Sequence, residues 1–268
     1  SIKISALTRS RPENFSTNMR DIIVLIGPPG AGKGTVAPII IQKTGVPQLS
    51  TGQMLRAAVK AGTTIGKQAQ GLMAKGKLVP DEIVARLVKE RTEQRDCSRG
   101  FILDGFPRTI NQAKLLAKIL EENNEYVTLA IEIRVPDSVL ETRICGRWMH
   151  KASGRSYHVT FSPPKSMKLL SNGKPDVKTM KDDKTGEMLY QRKDDTPEAL
   201  KTRLGVYHKN TAAILKFYNE ILKVLDGDQS IKNVQKEAAV LMDDHMTSTF
   251  ILRNPYNLVD APKRRSKL

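Results

Sequence analysis

The residues with the clearest chemical potential form the segment Gly27-Pro28-Pro29-Gly30-Ala31-Gly32-Lys33-Gly34-Thr35. It follows the apolar run 22–26, which is typical of a buried parallel strand, and precedes residues 36–43, which are predicted to be helical. Glycines let consecutive backbone N–H groups turn toward one ligand, and the helix adds free N–H groups and a positive dipole end. The segment therefore predicts a phosphate-binding loop, in which Lys33 reaches the outer phosphates of a triphosphate and Thr35 lies near a bound magnesium ion.

The spacing of this loop differs in one respect from the common pattern, which ends in Gly-Lys-Ser/Thr. Here Gly34 separates Lys33 from Thr35. A tight turn that carries an incidental lysine is the alternative interpretation. The glycines on both sides of Lys33 argue against it.

A second chemical group stands at the end of another apolar run. Residues 101–104 are a predicted buried strand that ends in Asp104, followed by Gly105-Phe106-Pro107-Arg108. An aspartate at the carboxyl end of a parallel strand beside a phosphate-binding loop is well placed to hold magnesium through water. An ordinary helix-cap or turn aspartate is the alternative.

Two arginines form a third feature. A helix is predicted to start at Pro136-Asp137 and to carry Arg143 and Arg147 on one face, four residues apart. Like charges at this spacing repel unless an anion lies between them, so a phosphate partner is favoured over two solvated side chains.

The composition limits the classes of protein. The chain has 268 residues, 39% of them hydrophobic and 27% charged, which is typical of a soluble globular protein, and no apolar run is long enough for a membrane span. Two cysteines without paired spacing, Cys97 and Cys145, predict neither disulfides nor a metal site, and a reducing compartment is expected. The net charge of +16 raises the alternative of nucleic-acid binding. Dispersed basic residues and only 5% aromatic residues argue against it.

The elements that must position these residues follow from the pattern along the chain. We expect an α/β fold with a parallel sheet flanked by helices, like that of P-loop NTPases. Residues 47–50 are expected to be a short link, and glycine-broken helices after it predict an inserted mobile subdomain at about 50–79. A change in composition predicts a separate small unit at about 146–195. Further helices are predicted at 81–93, 109–122 and 231–242, and another contains Arg203 and continues through Tyr218. Further strands are predicted at 127–135 and 224–227.

The four ordered segments 27–35, 50–52, 103–108 and 192–195 resemble adenylate kinases of the long type, in which a small lid domain is inserted. The similarity spans about residues 21–242. It implies the reaction ATP + AMP ⇌ 2 ADP with Mg²⁺, in a core whose monophosphate-binding subdomain and lid close over the substrates. It also implies a monomer whose partners are these nucleotides, with no nucleic acid or membrane as a partner.

The resemblance also implies roles for individual residues. The catalytic residues are expected to be Lys33, Arg108, Arg143, Arg147, Arg192 and Arg203. Those expected to bind ATP are Gly30, Ala31, Gly32, Lys33, Gly34, Thr35, Arg143, Arg147, Ser156, Tyr157 and Gln229. Those expected to bind AMP are Thr51, Arg56, Lys77, Leu78, Val79, Gly105, Phe106, Pro107, Arg108, Gln112, Arg192 and Arg203. Asp104 is expected to hold Mg²⁺ through water.

The chain departs from the family in three places. Gln53 stands where most members have aspartate, which removes a negative charge near the magnesium–water network. The lid lacks the four cysteines that hold zinc in some relatives, so no structural zinc is expected. His150, Ser153, Asp182 and Thr185 take their places, which favours a hydrogen-bonded cluster over ordinary turn residues. A lysine-rich insertion at 166–181 is expected to be a surface loop.

Alternatives to this function are a GTP:AMP phosphotransferase, because residues 146–150 also resemble the lid of that group, and a non-catalytic nucleotide sensor. The retained lysine and arginines argue against the sensor.

The two ends of the chain extend beyond the similarity. Residues 1–20 are interpreted as an extension and not as a transit peptide, because Glu13 and the lack of amphipathic periodicity disfavour one. Residues 243–268 are predicted to be an irregular tail that ends in Ser266-Lys267-Leu268, the tripeptide that a peroxisomal import receptor reads. This predicts location in a peroxisome-type organelle, glycosomes included. The cytoplasm is the alternative.

Overall fold

A computed structural model describes residues 20–253. The helices are α1 (Lys33–Thr44), α2 (Thr51–Lys60), α3 (Thr64–Ala74), α4 (Asp81–Thr92), α5 (Ile110–Glu121), α6 (Asp137–Cys145), α7 (Pro197–Phe217) and α8 (Ile231–Arg253). The strands are β1 (Asp21–Ile26), β2 (Gln48–Ser50), β3 (Gly100–Asp104), β4 (Leu129–Arg134), β5 (Arg147–His150), β6 (Ser156–His158), β7 (Leu189–Tyr190) and β8 (Leu222–Asp226).

The main sheet has the order β2-β3-β1-β4-β8, and all its strands are parallel. Alternate residues of β1 point to opposite faces, as a strand requires. Ile22 and Val24 pack with residues of α4 and α5 on one face, and Ile23 and Leu25 pack with α1 and α8 on the other. The predicted parallel sheet flanked by helices is confirmed.

The expected monophosphate-binding subdomain contains α2 and α3, two short helices in close contact. A Cβ placed on Gly66 of α3 would lie 2.1 Å from the carbonyl oxygen of Ala58 in α2. Only a residue without a side chain permits this approach. Thr63 caps α3, because its side chain accepts a hydrogen bond from the Gly66 N–H.

The unit that we expect to be the lid, residues 146–195, is called the lid below. It is built on a three-stranded antiparallel sheet in the order β6-β5-β7. Its small core consists of Trp148, Tyr157, Met180 and Leu189. A lid of this size buries little apolar surface, so we expect hydrogen bonds between polar groups beside this core to help determine the folded structure of the lid.

The lid polar cluster, which we define as His150, Ser153, Asp182 and Thr185, has the predicted hydrogen bonds. His150 Nδ1 lies 2.7 Å from Ser153 Oγ, and the hydroxyl of Thr185 donates to Asp182 Oδ2 at 3.1 Å. The sequence analysis missed Arg155, whose guanidinium donates to both carboxylate oxygens of Asp182 at 2.8 and 2.6 Å. This ion pair is the main reason that the pKa of Asp182 lies well below its ordinary value.

Four predicted elements were wrong in part. Residues 48–50 form a strand, β2, that pairs with β3, and are not a link. Helix α6 ends at Cys145, so Arg147 lies in β5 and does not share a helical face with Arg143. Residues 243–253 continue α8 and are not irregular. The insertion at 166–181 is not entirely a surface loop, because Met180 is fully buried in the lid core.

Residues 1–19 of the extension predicted at 1–20 and the tripeptide at 266–268 lie outside the described residues. Arg20 belongs to the folded part and not to an extension, because it donates to Glu125 Oε1 and to the carbonyl oxygen of Thr92. Within residues 20–253, no helix is long and apolar enough to cross a membrane. In the same range, no group of three or more His, Cys, Asp or Glu residues could hold a metal ion.

Candidate active site

The site lies at the carboxyl edge of the main sheet, where successive strands end beside one another. The phosphate-binding loop follows β1, Thr51 follows β2, and Asp104 is the last residue of β3. Helix α6 follows β4, and Gly227 follows β8. The parallel order of the strands therefore brings groups from distant parts of the sequence to one edge.

The predicted phosphate-binding loop has the backbone that anion binding requires. Gly30 and Gly32 have φ angles of 86° and 103°, in the left-handed region that favours glycine, and Gly32 is the N-cap of α1. Lys33 Nζ donates to the carbonyl oxygens of Gly27 and Pro28 at 2.7 and 3.0 Å, so the side chain folds back over the loop. Burial lowers the pKa of Lys33 to about 8, and Asp104 opposes this shift.

Asp104 is oriented by a residue that the sequence analysis did not single out. Gln48 Nε2 donates to Asp104 Oδ2 at 3.0 Å from the neighbouring strand β2. A carboxylate held in this way, with the hydroxyl of Thr35 in the first turn of α1, supplies the oxygen ligands that Mg²⁺ prefers. The residues present therefore fit the magnesium ion that the family resemblance implies.

The cleft beside Asp104 contains most of the predicted AMP-binding residues. Thr51 Oγ1 donates to the carbonyl oxygen of Gly105 at 2.8 Å, and Arg108 Nε donates to the same oxygen at 2.7 Å. Of the predicted AMP-binding residues, those that line the cleft are Thr51, Arg56, Lys77, Leu78, Val79, Gly105, Arg108, Gln112 and Arg203. Phe106 is fully buried in the core, and Pro107 follows it through a cis peptide bond. Arg192 is half-buried and is not among the residues that line this cleft.

Several guanidinium groups converge above this cleft. Arg147 pairs with Asp195, and Arg203 donates to Asp194 at 3.1 Å. Burial lowers the pKa of Arg203 to about 10. Burial, followed by the charge of Arg192, lowers the pKa of Arg56 to about 10 as well. Cations that lower one another's pKa in a partly buried site favour an anionic ligand between them.

Arg192 gives a second indication that this site binds an anion. Its Nε is buried and has no hydrogen-bond partner within the part of the chain that the structure describes. A buried donor without a partner is unfavourable, and a phosphate oxygen would satisfy it.

The far side of the phosphate-binding loop contains the remaining predicted ATP contacts. Arg143 donates to the carbonyl oxygen of Gly227 at 2.9 Å, and Gln229 lies on the same turn, where its amide donates to the carbonyl oxygen of Asp226. Ser156 is exposed on the lid. The Tyr157 side chain lies in the lid core instead, with its hydroxyl donating to Asp182 at 2.9 Å, and so does not point to the site as a side-chain contact to ATP would require.

Gln53, on α2, faces Gly154 on the other side of the site. Its Nε2 is 2.9 Å from the position that a Cβ on Gly154 of the lid would occupy, so α2 and the lid touch at this point. Gly154 has a φ angle of 70°, which also favours glycine. The sequence alone gave no signal for this contact, because the two residues are a hundred positions apart.

The sequence analysis also missed the acidic partners of the site. Asp194 and Asp195 were part of a recognised segment, but no role was assigned to them. Asp81 was only the first residue of the helix predicted at 81–93, yet its Oδ1 accepts a hydrogen bond from Gln112 Nε2 at 2.8 Å. A carboxylate beside a predicted binding amide is visible only when the fold brings them together.

Comparisons with known proteins agree with this geometry. A family model described as adenylate kinase matches residues 25–223. The chain is 45% identical over 229 residues to a protein of Hamiltonella defensa named adenylate kinase, and the match covers 83% of this chain and 99% of that protein. It is 47% identical over 224 residues to a Neurospora crassa protein of the same name, and the match covers 82% of this chain and 76% of that one.

Proposed function

The chain belongs to the adenylate kinase family and is a nucleoside monophosphate kinase, and on that premise we propose how its residues carry out the reaction ATP + AMP ⇌ 2 ADP. The observation that carries the proposal is a group of cations beside the carboxyl edge of the sheet. Arg56, Arg108 and Arg203 line one cleft. The charge of Arg147 acts on Lys33, Arg56, Arg192 and Arg203 alike. Phosphoryl transfer depends on alignment of the two substrates and on neutralised charge, which such a set of cations provides.

On the donor side, the backbone N–H groups of residues 30–35 bind the ATP phosphates. Lys33 exchanges its hydrogen bonds to Gly27 and Pro28 for bonds to the outer phosphates, and this exchange favours its charged form. Arg143 borders the adenine of ATP, next to the turn that carries Gln229.

Asp104, through water, and Thr35 would hold the magnesium ion. When bound, the ion would neutralise negative charge on the phosphates. Gln48 keeps the Asp104 carboxylate in place by its hydrogen bond.

On the acceptor side, AMP lies in the cleft between α2, α3 and residues 105–108. Thr51 and Gln112 border its base, and Arg56, Arg108 and Arg192 bind its phosphate. Arg147, Arg192 and Arg203 then surround the transferring group. Because some of these arginines come with the lid, the site is complete only when the lid is closed, and water is then excluded. All these residues belong to one chain, so we propose a monomer.

The test compares Lys33→Met with Lys43→Met, two substitutions in the same helix. Lys43 forms an exposed ion pair with Asp243 away from the site, so its variant is the matched control. We expect ADP formation from Mg-ATP and AMP to be nearly abolished only in Lys33→Met, with the unfolding temperature unchanged or raised, because a buried charge is removed. Full activity of Lys33→Met would contradict the assignment of the donor site.

ATP is the proposed donor, because both relatives are named adenylate kinase and the GTP:AMP alternative is not favoured. Rates with ATP and GTP at equal concentration test this choice directly. A higher kcat/KM with GTP would contradict it.

We also propose that Ser266-Lys267-Leu268 directs import into a peroxisome-type organelle wherever the mature protein ends at Leu268. The support is the tripeptide alone, which a receptor reads only at a terminus. Residues 254–268 attached to the end of a fluorescent protein, with and without Leu268, test it against a peroxisomal marker. Diffuse fluorescence from the intact sequence would contradict the proposal.

A further inference from the structure

The side-chain amide of Gln112 is held at both ends in the acceptor cleft. The residue is only 2% exposed. Its Oε1 accepts a hydrogen bond from the Arg108 backbone N–H at 2.7 Å, and its Nε2 donates to Asp81 Oδ1 at 2.8 Å. Asp81 is the first residue of α4, and Arg108 lies in the loop after β3. The Gln112 amide therefore bridges these two parts of the chain.

These two partners permit only one orientation of the amide. A backbone N–H can only donate, so it must face the amide oxygen. An ionised carboxylate can only accept, so it must face the amide nitrogen. Reversing the amide would place two donors against each other at one end and two acceptors at the other, with both pairs buried.

Asp81 is itself fixed by further hydrogen bonds. Its Oδ2 accepts from the hydroxyl of Thr109 at 2.9 Å and from the amide of Asn111 at 3.0 Å. Thr109 is the N-cap of α5, so its position is determined by the helix. The carboxylate therefore faces three donors, and no acceptor at its place except an ionised acid satisfies all of them.

We propose that Asp81 is a positioning residue that fixes the Gln112 amide so that the acceptor site selects a 6-aminopurine over a 6-oxopurine. The inference rests on the proposed function, in which this cleft binds the acceptor base. One N–H and one oxygen lone pair of the amide remain for the ligand. Adenine offers an acceptor at N1 and a donor at its 6-amino group, which match this pair. Hypoxanthine offers a donor at N1 and an acceptor at O6, and it would require the reversed amide.

The substitution that tests this is Asp81→Asn, which keeps the shape of the side chain and replaces one acceptor oxygen by a donor. With one of the two constraints removed, only the Arg108 N–H opposes a turn of the Gln112 amide, so the site discriminates less between the two bases. We expect the ratio of kcat/KM for AMP to kcat/KM for IMP to decrease by about tenfold or more, the scale of one lost hydrogen bond to a charged group. The KM for ATP should be unchanged, because the donor site is not touched.

The matched control is Asn111→Ala, which removes an exposed donor to the same carboxylate and leaves the bond to Gln112 intact. It should keep the AMP to IMP ratio of the wild type. Asp81→Asn should also have no further effect on this ratio when Gln112 is already alanine, because a positioning residue acts only through its partner. An additive effect in the double variant would overturn the inference.

The outcomes separate this inference from the function on which it rests. A wild-type enzyme that does not phosphorylate AMP would overturn the proposed function. A wild-type enzyme that prefers AMP to IMP, with the same preference in a folded Asp81→Asn variant, would overturn the role of Asp81. If that variant does not fold, hydrogen exchange of the Gln112 side-chain amide in the wild type decides. It should be slowed, and free exchange would contradict the inference.

Discussion

Helix α3 offers a test of how the acceptor subdomain is assembled, through two glycines five positions apart. Gly66 is buried, and a Cβ there would lie 2.1 Å from Ala58 O and 2.6 Å from Val59 N. Gly71 is exposed, and a Cβ there would meet nothing within 4 Å. The same substitution to alanine therefore separates close packing from helix propensity.

The expected changes in unfolding free energy have opposite signs. Alanine at Gly71 should stabilise the helix by about 1 kcal/mol, the propensity difference between the two residues. Alanine at Gly66 gains at most the same helix-propensity stabilisation, and its Cβ forces α2 and α3 apart. Because backbone atoms are in the way and cannot rotate aside, overpacking of about 3 kcal/mol is expected, which leaves a net loss of about 2 kcal/mol.

The effect should also reach the active site, since Thr51 and Arg56 are carried by α2. We expect Gly66→Ala to raise the KM for AMP severalfold with little change in the KM for ATP, and Gly71→Ala to change neither. Urea unfolding followed by circular dichroism, together with steady-state kinetics, measures both quantities. If Gly66→Ala is as stable as Gly71→Ala and has the same KM for AMP, the packing argument is wrong.

Two further predictions concern ionisable groups. Because burial lowers the pKa of Lys33 to about 8, this lysine is neutral in most of the free enzyme at about pH 9. Bound phosphates favour its charged form, so ATP binding at this pH should be accompanied by uptake of a proton. Titration calorimetry in buffers of different ionisation enthalpy measures this uptake, and identical heats in all buffers would contradict it. Asp182→Asn should destabilise the lid more than the neighbouring substitution Asp183→Asn. In the wild type, the contribution of the Asp182 carboxylate to lid stability should be present at neutral pH and decrease as pH falls below about 4, because its pKa is lowered in the folded state. The chain has 1 Trp, Trp148 in the lid core, so its fluorescence reports unfolding of the lid. Equal shifts of the unfolding midpoint in the two variants would refute the role of the lid polar cluster.

Local patterns were sufficient for much of the fold and of the site. The phosphate-binding loop is contiguous, so its glycines, its lysine and the flanking strand and helix are visible in one short segment. The strand ending in Asp104 is equally local. The family resemblance then supplied the arginines, which lie far apart in sequence, and nine of the twelve predicted acceptor residues line one cleft.

The errors have physical causes that no short segment reveals. Residues 48–50 are too few to show an alternating pattern, and their strand exists because β3 offers backbone partners. Arg147 was placed on a helix because the turn at Gly146 and the start of a lid strand depend on pairing with His158. Met180 appeared to belong to a polar loop because its neighbours are lysines, yet the lid core needs one more apolar side chain. Asp81 and Gln112 form a pair only in three dimensions.

The ion pair between Arg147 and Asp195 has a consequence for the chain's architecture. It joins the residue that opens the lid's first strand to a residue just before α7, so the lid leaves the core and returns to it at nearly the same point. A loop whose ends are already joined gains residues at small entropic cost, which grows only with the logarithm of its length. The insertion at 166–181 lengthens such a loop without displacing the strands of the main sheet. The lid can thus differ in size from one protein to another while the geometry of phosphoryl transfer stays the same.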